Sequence, residues 1–219
     1  MVLCISPLVP APLRKQNQAR GERRNSTLQP AKPSHLYFIR HAPGLDGGCL
    51  AGRRDVPADV SDRAAADHAR ALIGSVDRFV ASPAQRCRMT AQAIWPEASP
   101  AHEPQLWEQD FGEWEGKPFA DLPDPGTMSR EGLAALRPPS GESFADLTAR
   151  TAPAIEGIIA PGTTAVIAHA GTIRVALGLA LGDPAAGLAF QIANWSVTAL
   201  TRLPDGWAVG YVNRTGGQR

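Results

Sequence analysis

Cysteine is scarce in this 219-residue sequence: Cys4, Cys49 and Cys87 are all there is. An odd, scattered set builds no disulfide framework and lacks metal-ligand spacing, so reduced thiols in a cytoplasmic protein are expected. No apolar run approaches the ~18 residues that a membrane span requires. Net charge is almost nil, +1, which gives no general attraction to polyanions. What remains, 43% hydrophobic and 20% charged residues, suits one globular domain, alone or with a tail.

The charge is unevenly placed. Residues 1–34 hold six basic side chains and one acid, net +5, leaving −4 on the rest of a chain of net +1. Pro7, Pro10, Pro12, Pro30 and Pro33 interrupt every apolar stretch there. Too little apolar surface is left to offset the entropy of ordering it, so residues 1–33 read as a basic, disordered tail and 34–219 as the domain. A secretory signal fits poorly, because the charges follow the apolar part. A transit peptide or a basic arm for nucleic acid or a membrane surface are the weaker readings.

From residue 35 strand-like and helix-like segments alternate. Leu36 to Ile39, Arg78 to Ala81 and Thr163 to Ala168 are short apolar runs that read as buried strands. Helices are expected from the Ser61-Asp62 cap to Ile73, from Ser82, over 142–159 with a kink at Pro153, and over 172–181. A weak extended piece falls at 99–103, a short helix at 129–136, and a hairpin at 197–203 with 207–212. This alternation predicts a three-layer α/β/α fold with a mostly parallel central sheet.

Four segments carry chemistry. The first strand ends in Arg40-His41-Ala42, followed by Pro43-Gly44, and ligands of open α/β sheets bind at such carboxyl ends. Ser82-Pro83-Ala84-Gln85-Arg86 reads as a helix start with Ser82 as N-cap, Pro83 at the first position and Gln85 closing a capping box. Its free amides and the Arg86 guanidinium together suit an anion. A third strand delivers His169-Ala170-Gly171-Thr172, again into a helix. The stretch from Leu106 to Gly116 is dense in acids and aromatics and suits a pocket rim. Singly, each has a bland alternative: a polar strand end, a surface arginine, a structural histidine, a solvated acidic loop.

In this order the four segments resemble the histidine phosphatase superfamily, also called the phosphoglycerate mutase-like fold. The resemblance rests on Arg40-His41-Ala42, with alanine where the family has glycine, on Ser82 to Arg86, on Leu106, Glu108 and Phe111 to Gly116, and on His169-Ala170-Gly171. It runs from about residue 35 to 213. Phe111 to Gly116, Gly52 to Pro57 and Gly141-Glu142-Ser143 are most similar to the alpha-ribazole phosphatase and broad-specificity phosphatase branch. Pro43-Gly44-Leu45 departs from the mutase pattern, and the 116–141 segment is too short for a mutase insertion.

The resemblance implies hydrolysis of phosphomonoesters, alpha-ribazole phosphate or another small phosphorylated metabolite, through a phosphohistidine on His41. Arg40, Arg86 and protonated His169 would surround the phosphoryl oxygens, with helix-start amides of Gly171 and Thr172 as further donors, and Glu108 would serve as acid and then base. No metal or other cofactor, nucleic acid or membrane is expected, and the sequence sets no oligomeric state. Phosphoglycerate mutase is the alternative within the family. A catalytically silent phosphate-binding or scaffold protein is the alternative of another class, and a basic-tailed nucleic-acid binder is a third.

Overall fold

The computed structural model describes residues 33–216; the expectations for the tail lie outside them, Pro33 apart. Six strands form one sheet in the order β3-β2-β4-β1-β5-β6. They are β1 (Ser34–Arg40), β2 (Arg78–Ala81), β3 (Ala101–His102), β4 (Gly162–Ala168), β5 (Val197–Leu203) and β6 (Gly206–Arg214). β1, β2, β3 and β4 run parallel, and β5 pairs antiparallel with both β1 and β6. The expected α/β/α architecture is therefore present.

The helices are α1 (Arg63–Ile73), α2 (Gln85–Ile94), α3 (Arg130–Ala135), α4 (Phe144–Gly157) and α5 (Ala170–Leu181). The strands read as continuous apolar runs because both sheet faces are covered. On one face Ile39, Ala165 and Ile167 pack with Ala66 and Ala69 of α1 and Ala91 of α2. On the other, Leu36, Phe38 and Val166 pack with Leu147 and Ile155 of α4 and Ile173 and Leu177 of α5. Each such fully buried large side chain contributes about 1.5–3 kcal/mol relative to exposure. Among the described residues no helix is long and apolar enough to cross a membrane.

Three helix starts differ from expectation, α5 beginning at Ala170 in place of Thr172. α4 begins after Ser143, whose side chain and that of Asp146 form a reciprocal capping box, so Glu142 stays outside the helix and is free for contacts elsewhere. α2 begins at Gln85, and Ser82 does not cap it. The cap comes from a distant segment: the Asp55 carboxylate accepts the Gln85 N–H at 2.6 Å. α4 also continues through Pro153, whose ring nitrogen has no proton to donate back along the helix.

Candidate active site

Parallel pairing of β1 with β4 sets Arg40 opposite Ala168. The residues that follow, His41 and His169, must therefore emerge together at the carboxyl edge of two adjacent central strands. Their rings meet edge to face with centroids 5.1 Å apart. Both are buried, His41 at 7% exposure and His169 at 0%. The His41 N–H donates to the Ala168 carbonyl at 3.0 Å, and Asn194 Nδ2 donates to the His41 carbonyl at 2.8 Å. The turn that brings Asn194 there passes through Trp195 with a left-handed φ of 62°, a conformation costing a bulky residue on the order of 1–3 kcal/mol.

The tautomer of His41 follows from its neighbours. Nδ1 lies 2.6 Å from the Ala42 carbonyl oxygen, which can only accept, so Nδ1 carries the proton. Nε2 is left with a lone pair, and Arg86 Nε–H donates to it at 3.3 Å. Burial, then the Arg86 cation, push the His41 imidazole down to about 3, so it is neutral across the physiological range. Ala42 replaces glycine at no conformational cost, since its φ is not positive and its side chain joins the core. Its N–H donates to Thr90 Oγ1 at 2.8 Å.

Arg86 is 1% exposed. It donates to the carbonyls of Gly52 at 2.7 Å and Arg54 at 3.0 Å and lies 5.7 Å from the Trp107 ring centroid. Arg40 Nη1 donates to the Ile192 carbonyl at 2.6 Å, and its Nε is buried without a partner. Arg174 Nε donates to the Phe190 carbonyl at 3.1 Å. Neutral acceptors thus fix three guanidinium groups without neutralising them. Burial, ahead of nearby charges, lowers the Arg40 guanidinium from its ordinary value. Arg40, His41, Arg86, Glu108, Arg174 and Asn194 line one cavity of about 390 Å³.

His169 departs from the expected protonated state. Burial and then the Arg86 charge hold its imidazole well below the ordinary value. Its Nε2 lies 2.9 Å from Ser82 Oγ and 3.6 Å from Cys87 Sγ. The Ser82 hydroxyl, expected to cap α2, is thus engaged by His169. Burial drives the Cys87 thiol up to about 12, which makes it inert.

The helix-start donors also differ. The first amide of α2, that of Gln85, faces Asp55, as above. The Gly171 N–H donates to Glu108 Oε2 at 3.3 Å, and Thr172 Oγ1 donates to the Leu106 carbonyl at 3.2 Å. Neither Gly171 nor Thr172 lines the cavity of His41. Gly171 instead seats Glu108: a Cβ there would collide with Glu108 Oε1 and approach Leu147 Cδ2 to 2.8 Å. Arg150 holds the acid's backbone, donating to the carbonyls of Gln105, Trp107 and Glu108 at 2.7, 3.0 and 2.9 Å.

Four predicted residues, Arg40, His41, Arg86 and Glu108, therefore line one cavity, and His169 packs against the His41 ring without lining it. The sequence reading overlooked Arg174, one helical turn beyond Ala170 and so on the same face of α5, which was a legible signal. Asn194 lies in an irregular connection and gave none.

A buried neutral imidazole facing fixed guanidinium groups, with a carboxylate on the same cavity, defines a site for transfer of an anionic group. Residues 36–215 match the model of the histidine phosphatase superfamily, branch 1. The chain belongs to that superfamily. The bifunctional protein Rv2228c of Mycobacterium tuberculosis is 34% identical over 157 residues, covering 65% of this chain. The match spans only 42% of the length of that relative. Among solved structures, TTHB049 from Thermus thermophilus is 26% identical with a TM-score of 0.64, covering 80% of this chain and 97% of that one. The alpha-ribazole phosphatase from Shigella flexneri shares the fold at 19% identity and TM-score 0.68, over 82% and 96% of the two chains. A phosphoserine phosphatase mutant from Entamoeba histolytica, in complex with phosphoserine, does so at 21% and 0.68, over 82% and 96%.

Proposed function

We propose that this domain hydrolyses small phosphomonoesters through a phosphohistidine on His41. The observation that carries the reading is the pinned tautomer: His41 is neutral, with Nδ1–H on the Ala42 carbonyl and the Nε2 lone pair facing the guanidinium side of the cavity. A phosphomonoester dianion repels a nucleophile unless its charge is masked. Arg40, Arg86 and Arg174, which line the cavity, mask it. His41 Nε2 attacks phosphorus in line as the ester P–O bond breaks. Glu108 protonates the departing oxygen, then takes a proton from the water that attacks the phosphohistidine. His169 is neutral on its own and takes a proton together with the dianion, whose charge opposes that of Arg86.

Alpha-ribazole phosphate stays one candidate substrate, supported by sequence resemblance and by fold likeness to the Shigella flexneri enzyme. Phosphoglycerate mutase activity is the weaker reading, because residues 116–141 are too short to form a mutase insertion. A silent phosphate-binding protein would not need Glu108 beside the nucleophile. Rapid-quench labelling tests the proposal: an acid-labile phosphoryl group should form on the wild type and be absent from His41→Ala. Loss of a covalent nucleophile should cost well over ~10³-fold in kcat. Activity of His41→Ala within about tenfold of wild type would remove the mechanism.

A further inference from the structure

Main-chain carbonyls aim Arg86. Its Nη2 donates to the Gly52 carbonyl at 2.7 Å and its Nη1 to the Arg54 carbonyl at 3.0 Å, which directs Nε–H at His41 Nε2, 3.3 Å away. The direction of this guanidinium is therefore set by where the 52–54 turn lies. Arg53 and Arg54 are exposed while Gly52 is buried, so the turn must be held from its inner side. Backbone pairing with the 116–117 segment reaches Leu50, whose N–H donates to the Lys117 carbonyl at 2.9 Å and whose carbonyl accepts the Gly116 N–H at 2.8 Å. Beyond Leu50 side chains take over. Glu115 Oε1 accepts the Arg53 N–H at 2.7 Å and the Phe111 N–H at 3.0 Å, so one oxygen joins the turn to the loop beside it. Gly52 lies against that carboxylate: its φ is +53°, and a Cβ there would collide with Glu115 Oε1. Glycine is thus required at 52 for the left-handed backbone and for the seat of the acid alike. On the far side of the turn, Asp55 accepts the N–H of Gln85 at 2.6 Å, which ties it to the start of the helix that carries Arg86.

We infer that Glu115 is a positioning residue for phosphoryl binding: by holding the Arg53 amide it fixes the Gly52 and Arg54 carbonyls, and through them the Arg86 guanidinium beside His41. The inference rests on the proposed hydrolysis, in which Arg86 binds the phosphoryl group. What Glu115 supplies is reach. Both partners of Oε1 are neutral backbone amides, which an uncharged amide oxygen serves as well as a carboxylate does. A carboxylate placed directly on Arg86 would fix it too, but would neutralise part of the charge that the substrate needs. Acting through carbonyls, the acid fixes the cation and leaves its charge free. Glu108 has a separate brace, since Arg150 Nη2 donates to its carbonyl at 2.9 Å. Loss of Glu115 should therefore disturb the phosphoryl end of the reaction and spare the leaving-group end.

The test separates reach from charge. Glu115→Gln keeps the length and an accepting oxygen, whereas Glu115→Asp keeps the charge and is one methylene short. Glu115→Ala and Glu115→Asp should each lower kcat/KM by roughly 10–10²-fold, the scale of an ångström's misplacement of a catalytic group. The loss should be the same for nitrophenyl phosphate and ethyl phosphate, and the Kd of inorganic phosphate, read by calorimetry, should weaken with it. Glu115→Gln should stay within about threefold of wild type, because its oxygen accepts the same two amides. In an Arg86→Lys background the Glu115→Ala loss should shrink to about twofold or less, since residues that act through one another are not additive. Glu115→Asp carries the same comparison if Glu115→Ala does not fold. Rates unchanged in Glu115→Ala and Glu115→Asp, a loss in Glu115→Gln as deep as in Glu115→Asp, a loss undiminished in Arg86→Lys, or one confined to ethyl phosphate would overturn the positioning role while hydrolysis stood. Phosphate binding without turnover in the wild type would refute the phosphatase reading instead. The role of Glu115 would then stand if the phosphate Kd showed the same Arg86-dependent loss, and fall if it did not.

Discussion

At the scale of single residues, the chemistry depends on where one carboxylate points. Four acids crowd the stretch from 108 to 115, and hydrogen bonds separate their roles. Asp110 accepts the Gly112 N–H at 2.8 Å, Glu113 accepts from the Ser140 hydroxyl at 3.2 Å, and Glu115 accepts the N–H groups of Arg53 at 2.7 Å and Phe111 at 3.0 Å. These three organise loops; Glu108 alone of the four lines the His41 cavity. A general acid matters most for a poor leaving group. Glu108→Gln should therefore lower alkyl phosphate hydrolysis by roughly 10²–10⁴-fold, with a far smaller loss in phosphohistidine formation from nitrophenyl phosphate. A burst followed by slow turnover is expected with that substrate, because water attack still lacks its base. Gly171→Ala should mimic the effect more weakly by pushing the carboxylate out of its seat. If so, its effect on rate disappears in the Glu108→Gln background, the coupling a double-mutant cycle detects. Additive losses would mean that Gly171 acts through packing alone.

At the scale of elements, a clasp between α4 and the 105–110 loop holds that acid. Arg150 Nε pairs with Glu142 Oε1 at 2.8 Å while its other nitrogens donate to three loop carbonyls. Glu142 Oε2 in turn accepts the Asp110 N–H at 3.1 Å. Arg150→Met should cost roughly 2–4 kcal/mol, since it leaves several loop carbonyls without a donor and removes one of the two guanidinium partners of Glu142. Thermal unfolding reads that loss. A role confined to folding would stop there; positioning of Glu108 predicts in addition that alkyl phosphate turnover falls more than phosphohistidine formation from nitrophenyl phosphate, with partial recovery in Arg150→Lys. The same elements show what a linear reading can and cannot reach. β1 and β4 were legible as apolar runs, and the two histidines followed from where those runs stop. The start of α2 escapes such a reading because its cap, Asp55, lies 30 residues upstream, and Ser82 has the right type for a cap but another partner. Arg150 and Glu142 resemble a solvated helix face, because nothing in their spacing reports that carbonyls from a distant loop surround one guanidinium.

At the scale of the whole molecule, burying two neutral histidines beside fixed cations couples stability to acidity. Unfolded, each imidazole binds a proton below about pH 6.5. Folded, His41 binds one only near 3, and His169 is likewise held well below its ordinary value, burial being the larger cause for both. Between these limits the unfolded chain holds more protons than the native one, so stability rises with pH and is lost as pH falls from about 6.5. The slope is about 1.4 kcal/mol per pH unit for an imidazole kept neutral, and His169 acts in the same direction as His41. Glu142 does not blur this window. Burial alone would raise its carboxyl, but the Arg150 hydrogen bond, the Asp110 amide and the charges of Arg150 and Arg53 pull it below the usual value, so its contribution is lost only at lower pH. Urea unfolding at pH 7.5, 6.5, 5.5 and 4.5 should show wild-type stability falling with pH across the lower three points. His41→Asn should reduce that slope by about one proton while raising stability at pH 4.5 relative to wild type. An unchanged slope in that variant would mean that His41 titrates normally, and with it would go the claim that this imidazole is neutral because the cavity makes it so.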